Sequence, residues 1–140
     1  MEKINFFNED VDFQLIKINS YQNWISSIIS KKNKIVGPIN YIFCSDNYLL
    51  DVNIEYLDHN YYTDIITFDY SENGIISGDL FISIDRVKEN ANTNSLSFNE
   101  ELNRVMIHGI LHLLGFKDKT EEEQKEMRKQ ENDSLKFLNN

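Results

Sequence analysis

The stretch Val105–Lys119, V-M-I-H-G-I-L-H-L-L-G-F-K-D-K, restricts the fold more than any other part of the chain. It is the most apolar run, and it carries two of the three histidines. A helix that is apolar all round has to be buried, so the rest of the chain must be built around this one. His108 and His112 are four residues apart, which on a helix puts them on one face with Cβ atoms about 5–6 Å apart. Burying two imidazoles without partners costs about 1–3 kcal/mol each, and sharing one metal ion removes that cost. Gly115 stands where the helix can end in a left-handed turn, and Asp118, three residues on, can swing back toward the histidines. The spacing H-x3-H-x2-G-x2-D therefore predicts a metal site on a buried helix in the C-terminal half.

Nitrogen and carboxylate donors suit zinc, one ion per chain, with nickel and iron as competitors for the same donors. His108, His112 and Asp118 would give three protein ligands and leave a fourth position for water, the mark of a catalytic rather than a structural zinc site. A metal there lowers the pKa of water toward about 7. His59 competes with Asp118 for the third position, because it lies in a polar loop just before a strand.

The remaining chain alternates strand and helix signals. Ile4 to Phe7 reads as a strand. Tyr21, Trp24, Ile25, Ile28 and Ile29 follow the spacing of an amphipathic helix, with Lys31, Lys32 and Lys34 at its end. Gly37-Pro38 signals a turn, and Ile39 to Cys44 a buried strand. Ser45 or Asp46 caps a second helix with an apolar stripe of Leu49, Leu50, Ile54 and Leu57. Thr63 to Tyr70 and Ile75 to Ser83 form a hairpin around Glu72-Asn73-Gly74. Gly78 marks a bulge or a close approach. Asp79, next to it, reads as an edge residue or a partner of a loop amide, with a catalytic role as the alternative. Ile84 to Asn92 is helical, and Ser97-x-x-Glu100 and Thr120-x-x-Glu123 are capping boxes that start the last two helices. In the final helix Met127, Leu135 and Leu138 are apolar, and Glu131 falls on the same stripe, where burial demands a partner.

With 140 residues the chain suits one domain, residues 1–140, of α+β class: a small mixed sheet with packed helices. Its single cysteine, Cys44, excludes an internal disulfide and reads as a small buried hydrophobe. No apolar run is long enough to span a membrane, and the start Met1 to Phe7 lacks the features of a signal peptide. The expected location is the cytoplasm, with no membrane partner. A net charge of −9 argues against nonspecific nucleic-acid binding over the whole surface, and so against DNA as a partner.

The pattern His108-Gly109-Ile110-Leu111-His112-Leu113-Leu114-Gly115-Phe116-Lys117-Asp118 resembles the signature H-G-x-L-H-L-x-G-Y-D-H of the YbeY endoribonucleases. Thr63-Asp64-Ile65-Ile66-Thr67-Phe68 is similar to that family's T-D-V-L-S-F block, and Gly78-Asp79-Leu80-Phe81-Ile82-Ser83 to its G-D-I-x-I-S block. The resemblance covers most of the chain from about Ile39 onward. It implies an α+β domain with a metal in a cleft. It also implies cleavage of single-stranded RNA at the 3′ end of small-subunit ribosomal RNA, a role in ribosome quality control, and the small ribosomal subunit as partner.

Two departures stand out. The family's third histidine falls on Asp118, and the aspartate before it on Lys117. The exchange lowers the net charge of a zinc site from +2 to +1, which raises the pKa of bound water relative to a three-histidine site. Lys117 and Lys119 are candidates to restore positive charge near a scissile phosphate. An arginine common in the family, four residues after an asparagine in the second helix, falls on Leu57 here, counting from Asn53. No residue stands out as a general base. Those departures leave an alternative: a ribosome-assembly factor whose metal is mainly structural. A metalloprotease is the remaining alternative, opposed by Gly109 where H-E-x-x-H enzymes carry their catalytic glutamate.

Overall fold

The computed structural model describes residues 3–138. In chain order the elements are β1 (Ile4–Asn8), α1 (Ile18–Lys31), β2 (Ile35–Cys44), α2 (Asp46–Leu57), β3 (Ile65–Asp69), β4 (Ile75–Ser83), α3 (Ile84–Thr93), α4 (Phe98–Leu113) and α5 (Glu121–Leu138). The strands form one sheet in the order β1-β2-β4-β3. β1, β2 and β4 run parallel, and β3 pairs antiparallel with β4. This is the mixed sheet of a single α+β domain expected from the sequence. Met1 and Glu2, part of the stretch read for a leader, lie outside the described residues.

Strand alternation divides the apolar residues between two cores. Ile39, Tyr41 and Phe43 of β2 and Leu80 and Ile82 of β4 join the main cluster with Trp24, Ile25 and Ile29 of α1. α4 is the centre of that cluster: Met106, Ile107, Ile110 and Leu111 have no exposed surface. Each such side chain stabilises the fold by about 1.5–3 kcal/mol relative to leaving it in water. The Tyr41 hydroxyl, buried beneath α4, donates to the Met106 carbonyl at 2.9 Å, so the core holds no orphaned phenol there. The second core contains Cys44, Leu49, Val52 and Ile66, under α2.

Two glycines set where α4 lies. A Cβ at Gly109 would collide with the Leu80 side chain and come within 2.8 Å of Ile65 Cδ1, so only glycine lets α4 sit this close to β3 and β4. Gly78 is also a site of close approach, where a Cβ would stand 2.9 Å from Leu113 Cδ2.

Several expectations need correction. Gly37 and Pro38 are not a turn between elements. They sit inside β2, where the register with β4 slips between Val36 and Ile39. Three steps on β2 match two on β4, and a β-bulge accommodates a proline that could not donate to a regular ladder. The buried stripe of α2 is Leu49, Val52 and Asn53, while Ile54 and Leu57 are 42% and 40% exposed. A polar residue takes the inward position because its amide is used: Asn53 Nδ2 donates to the Tyr61 carbonyl at 2.9 Å. β3 is shorter than Thr63 to Tyr70, and α1 begins at Ile18 rather than Tyr21. Asp79 lies on β4, between β2 and β3, and is therefore not at an edge. Its Oδ1 accepts from the Asn40 side chain at 3.0 Å, a neighbouring strand residue rather than a loop amide. The hairpin turn follows the expected chemistry, with Asn73 at φ 54° and Gly74 at φ 79°.

Candidate metal centre

Ser97 and Glu100 close a reciprocal capping box that starts α4, so the register of the helix is fixed from its first turn. That register turns Leu102, Val105, Met106 and Ile110 into the core and leaves His108 and His112 half-buried on the opposite side. Their Nε2 atoms are 3.0 Å apart and their rings are inclined at 78°. α4 then stops in a Schellman motif. Phe116 N–H donates to the Leu111 carbonyl and Gly115 N–H to the His112 carbonyl, both at 3.0 Å, with Gly115 at φ 102°. The reversal returns the chain to the histidines. Asp118 Oδ2 lies 3.3 Å from His108 Nε2 and 3.4 Å from His112 Nε2.

Three donor atoms thus form a triangle with edges of 3.0, 3.3 and 3.4 Å. A tetrahedral zinc with ligands at about 2.0–2.1 Å requires donor separations of roughly 3.3–3.4 Å. The donor set and its spacing therefore fit a metal of this kind without rearrangement. His108, His112 and Asp118 are the group of acids and histidines among the described residues that can hold an ion in this way.

Glu131 supports the triangle from behind. It is 5% exposed, on α5, with Oε2 2.7 Å from His108 Nδ1 and Oε1 2.8 Å from Arg104 Nη1. Burial works against its ionisation, but the bonds from His108 and Arg104 outweigh it and hold the carboxyl below its usual range. An ionised carboxylate only accepts, so Glu131 holds a proton on His108 Nδ1, and in the neutral ring this leaves the Nε2 lone pair facing Asp118 and His112. Burial disfavours the charged form of His108, yet the bond and charge of Glu131, with Asp118 and Asp64, raise its pKa overall. His112 is lowered, by burial first and then by the neighbouring His108 charge. The surrounding carboxylates make this centre favourable for a cation.

The other candidates fall in different places. His59 lines the same cleft, of about 720 Å³, as His108 and His112. It stacks on Tyr61, however, with its Nδ1 2.9 Å from the Tyr61 hydroxyl, and it is outside the three-donor triangle. Lys119 lines that cleft, and Lys117 does not. Asp79 is held by Asn40 on the sheet and is not among the cleft residues. Two residues gain a role that the sequence reading did not give them. In the sequence Glu131 is only an acid that needs a partner, and in the fold its partners are His108 and Arg104. Asp64, part of the T-D-I-I-T-F block, lines the cleft beside the histidines, and burial raises its pKa.

Known proteins resemble this chain over nearly its whole length. Residues 5–139 match the family described as Endoribonuclease YbeY. The Flavobacterium psychrophilum protein of that name is 52% identical over 132 residues, covering 94% of each chain. The Christiangramia forsetii protein of the same name is 53% identical over 137 residues, covering 96% of this chain and 95% of the relative. A Thermotoga maritima protein solved in solution superposes with a TM-score of 0.68 at 25% identity, over 96% of this chain and 88% of that one. A match running almost from end to end, with relatives above half identity, places this chain in the YbeY endoribonuclease family.

Proposed function

We propose that this protein is a zinc-dependent endoribonuclease that cleaves single-stranded RNA during maturation of the 3′ end of small-subunit ribosomal RNA and in ribosome quality control. The observation that supports it best is the donor triangle of His108, His112 and Asp118, open to a cleft and backed by Glu131. One zinc per chain would be held by His108 Nε2, His112 Nε2 and Asp118 Oδ2. When bound, it would supply Lewis acidity at a phosphodiester and a lowered pKa for water.

The chain's own residues do the rest. Glu131 fixes the His108 tautomer, and Arg104 holds Glu131 in turn. Gly115 lets the chain turn so that Asp118 reaches the site. Lys119, on the cleft wall, offers positive charge to a substrate phosphate. The half-buried triangle leaves one side toward the cleft, which favours turnover over a purely structural metal. Ribosomal RNA and the small ribosomal subunit are the proposed partners, and the cytoplasm the proposed location. No helix among the described residues is long and apolar enough to cross a membrane.

The test is cleavage of a single-stranded RNA ending in the 3′ region of small-subunit rRNA, with zinc content measured on the same samples. The wild type should carry about one zinc and cut the RNA, and His108→Ala or His112→Ala should lose both. A zinc-free double variant that cuts at the wild-type rate would overturn the mechanism. Chelation that lowers the melting temperature with no turnover at any metal level would favour an assembly factor instead.

A further inference from the structure

The hollow between the donor triangle and the loop after α2 has little positive charge, whereas Arg104, Lys125 and Arg128 line neighbouring hollows that share His108 and Asp118. Lys119 is the one lysine or arginine that lines the first of these, against the acids Asp64, Asp69 and Asp118. On this side of the triangle phosphate attraction is therefore a weak source of affinity for a polyanion. The cleft offers something else. His59 and Tyr61 lie in the loop between α2 and β3 with ring centroids 5.2 Å apart and planes inclined at 19°. Tyr61 is 55% exposed. Beside His59 it presents a flat ring face that an unpaired base can cover.

This pair is held rigidly. The Tyr61 hydroxyl and His59 Nδ1 are hydrogen-bonded at 2.9 Å. Asn53, 1% exposed on α2, donates from Nδ2 to the Tyr61 carbonyl, and its own carbonyl accepts from His59 N–H at 3.1 Å. Asn53 thus ties both His59 and Tyr61 to the end of α2, one through its backbone carbonyl and the other through its side chain. The buried polar position on α2 noted above has its explanation here. A preformed aromatic pair loses little conformational freedom on binding a third ring.

We propose that His59 and Tyr61 form a stacking platform for one nucleobase of a single-stranded RNA whose backbone crosses the donor triangle. Stacking tolerates any base and requires an unpaired one, so the platform would select single strands over duplexes without reading sequence. The proposal rests on the nuclease reading only for the choice of RNA as the occupant.

The experiment uses a single-stranded RNA in which 2-aminopurine replaces each base in turn, because stacking on an aromatic ring quenches its fluorescence. Zinc-loaded wild-type protein should quench one position strongly. Tyr61→Ala should abolish that quench and weaken binding roughly 5- to 150-fold, the range for loss of one base–aromatic stack. Tyr61→Phe keeps the ring and should retain the quench, and His59→Ala should reduce it. Melting temperatures of the three variants should stay near wild type, since both side chains are exposed. No quench at any position, or a Tyr61→Ala variant that binds and quenches like wild type, would overturn the platform. Gel analysis of the same samples separates the two readings. Cleavage without quenching removes the platform and leaves the nuclease, and quenching without cleavage does the reverse.

Discussion

Replacing Glu131 by glutamine changes one atom and removes the charge behind His108. In the native site one carboxylate serves two donors, His108 Nδ1 at 2.7 Å and Arg104 Nη1 at 2.8 Å. A glutamine has one acceptor oxygen and one amide that only donates. If the oxygen stays with Arg104, the amide faces His108 Nδ1 and the imidazole must carry its proton on Nε2, the atom aimed at the metal. If the oxygen stays with His108, the amide meets the Arg104 guanidinium, donor against donor. Either way the preorganised tautomer is disfavoured. Loss of such a supporting partner typically costs 10- to 100-fold in metal affinity, or about 1.4–2.7 kcal/mol. Arg104 keeps its bond to Asn132 Oδ1 at 3.0 Å, so the metal-free fold should lose only about 1–3 kcal/mol and remain cooperative. The assay is competition for zinc with a chelator of known affinity, alongside thermal melting of the metal-free protein. Zinc affinity of the variant within twofold of wild type would refute the argument that Glu131 sets the donor geometry.

Gly109→Ala should destabilise the protein by about 1–3 kcal/mol in denaturant titration, because the added methyl meets Leu80 and Ile65 and must push α4 off the sheet. Gly115→Ala introduces a side chain at φ 102° and should cost about 1–2 kcal/mol; zinc titration should show weaker binding as well, since the turn delivers Asp118. The Cys44 thiol is pushed up to about 12, by burial first and then by the charges of Asp10 and its acidic neighbours. Its neutral form is the one the fold favours, so that contribution to stability is intact below pH 9 and is lost as pH rises toward 12. At pH 8 the thiolate fraction should be about 1,000-fold below that of a free cysteine, and alkylation with and without denaturant measures it.

The sequence made the centre of the molecule legible and its margins less so. α4 could be placed because one run combined an apolar core helix, a capping box at Ser97 and a stop at Gly115, three signals that agree. The Asn73-Gly74 hairpin was equally local. Gly37-Pro38 misled because a bulge and a turn share the same residues, and only pairing with β4 tells them apart. The α2 stripe misled because apolar periodicity does not register a buried asparagine whose amide is satisfied by a carbonyl of the loop that follows the helix. Of the candidate site, the spacing of His108, His112 and Asp118 anticipated the three donors that the fold brings together. The bond from His108 to Glu131 spans 23 residues and two helices, and no local pattern encodes it. Tyr61 carried no signal in the sequence beyond being one of seven tyrosines.

The account depends most on which three side chains hold the metal. Anomalous diffraction from crystals of the zinc-loaded protein measures that directly. It should show one peak per chain, within about 2.0–2.2 Å of His108 Nε2, His112 Nε2 and Asp118 Oδ2, with the remaining position facing the cleft. A peak coordinated by His59 in place of Asp118, or none at the two histidines, would contradict it.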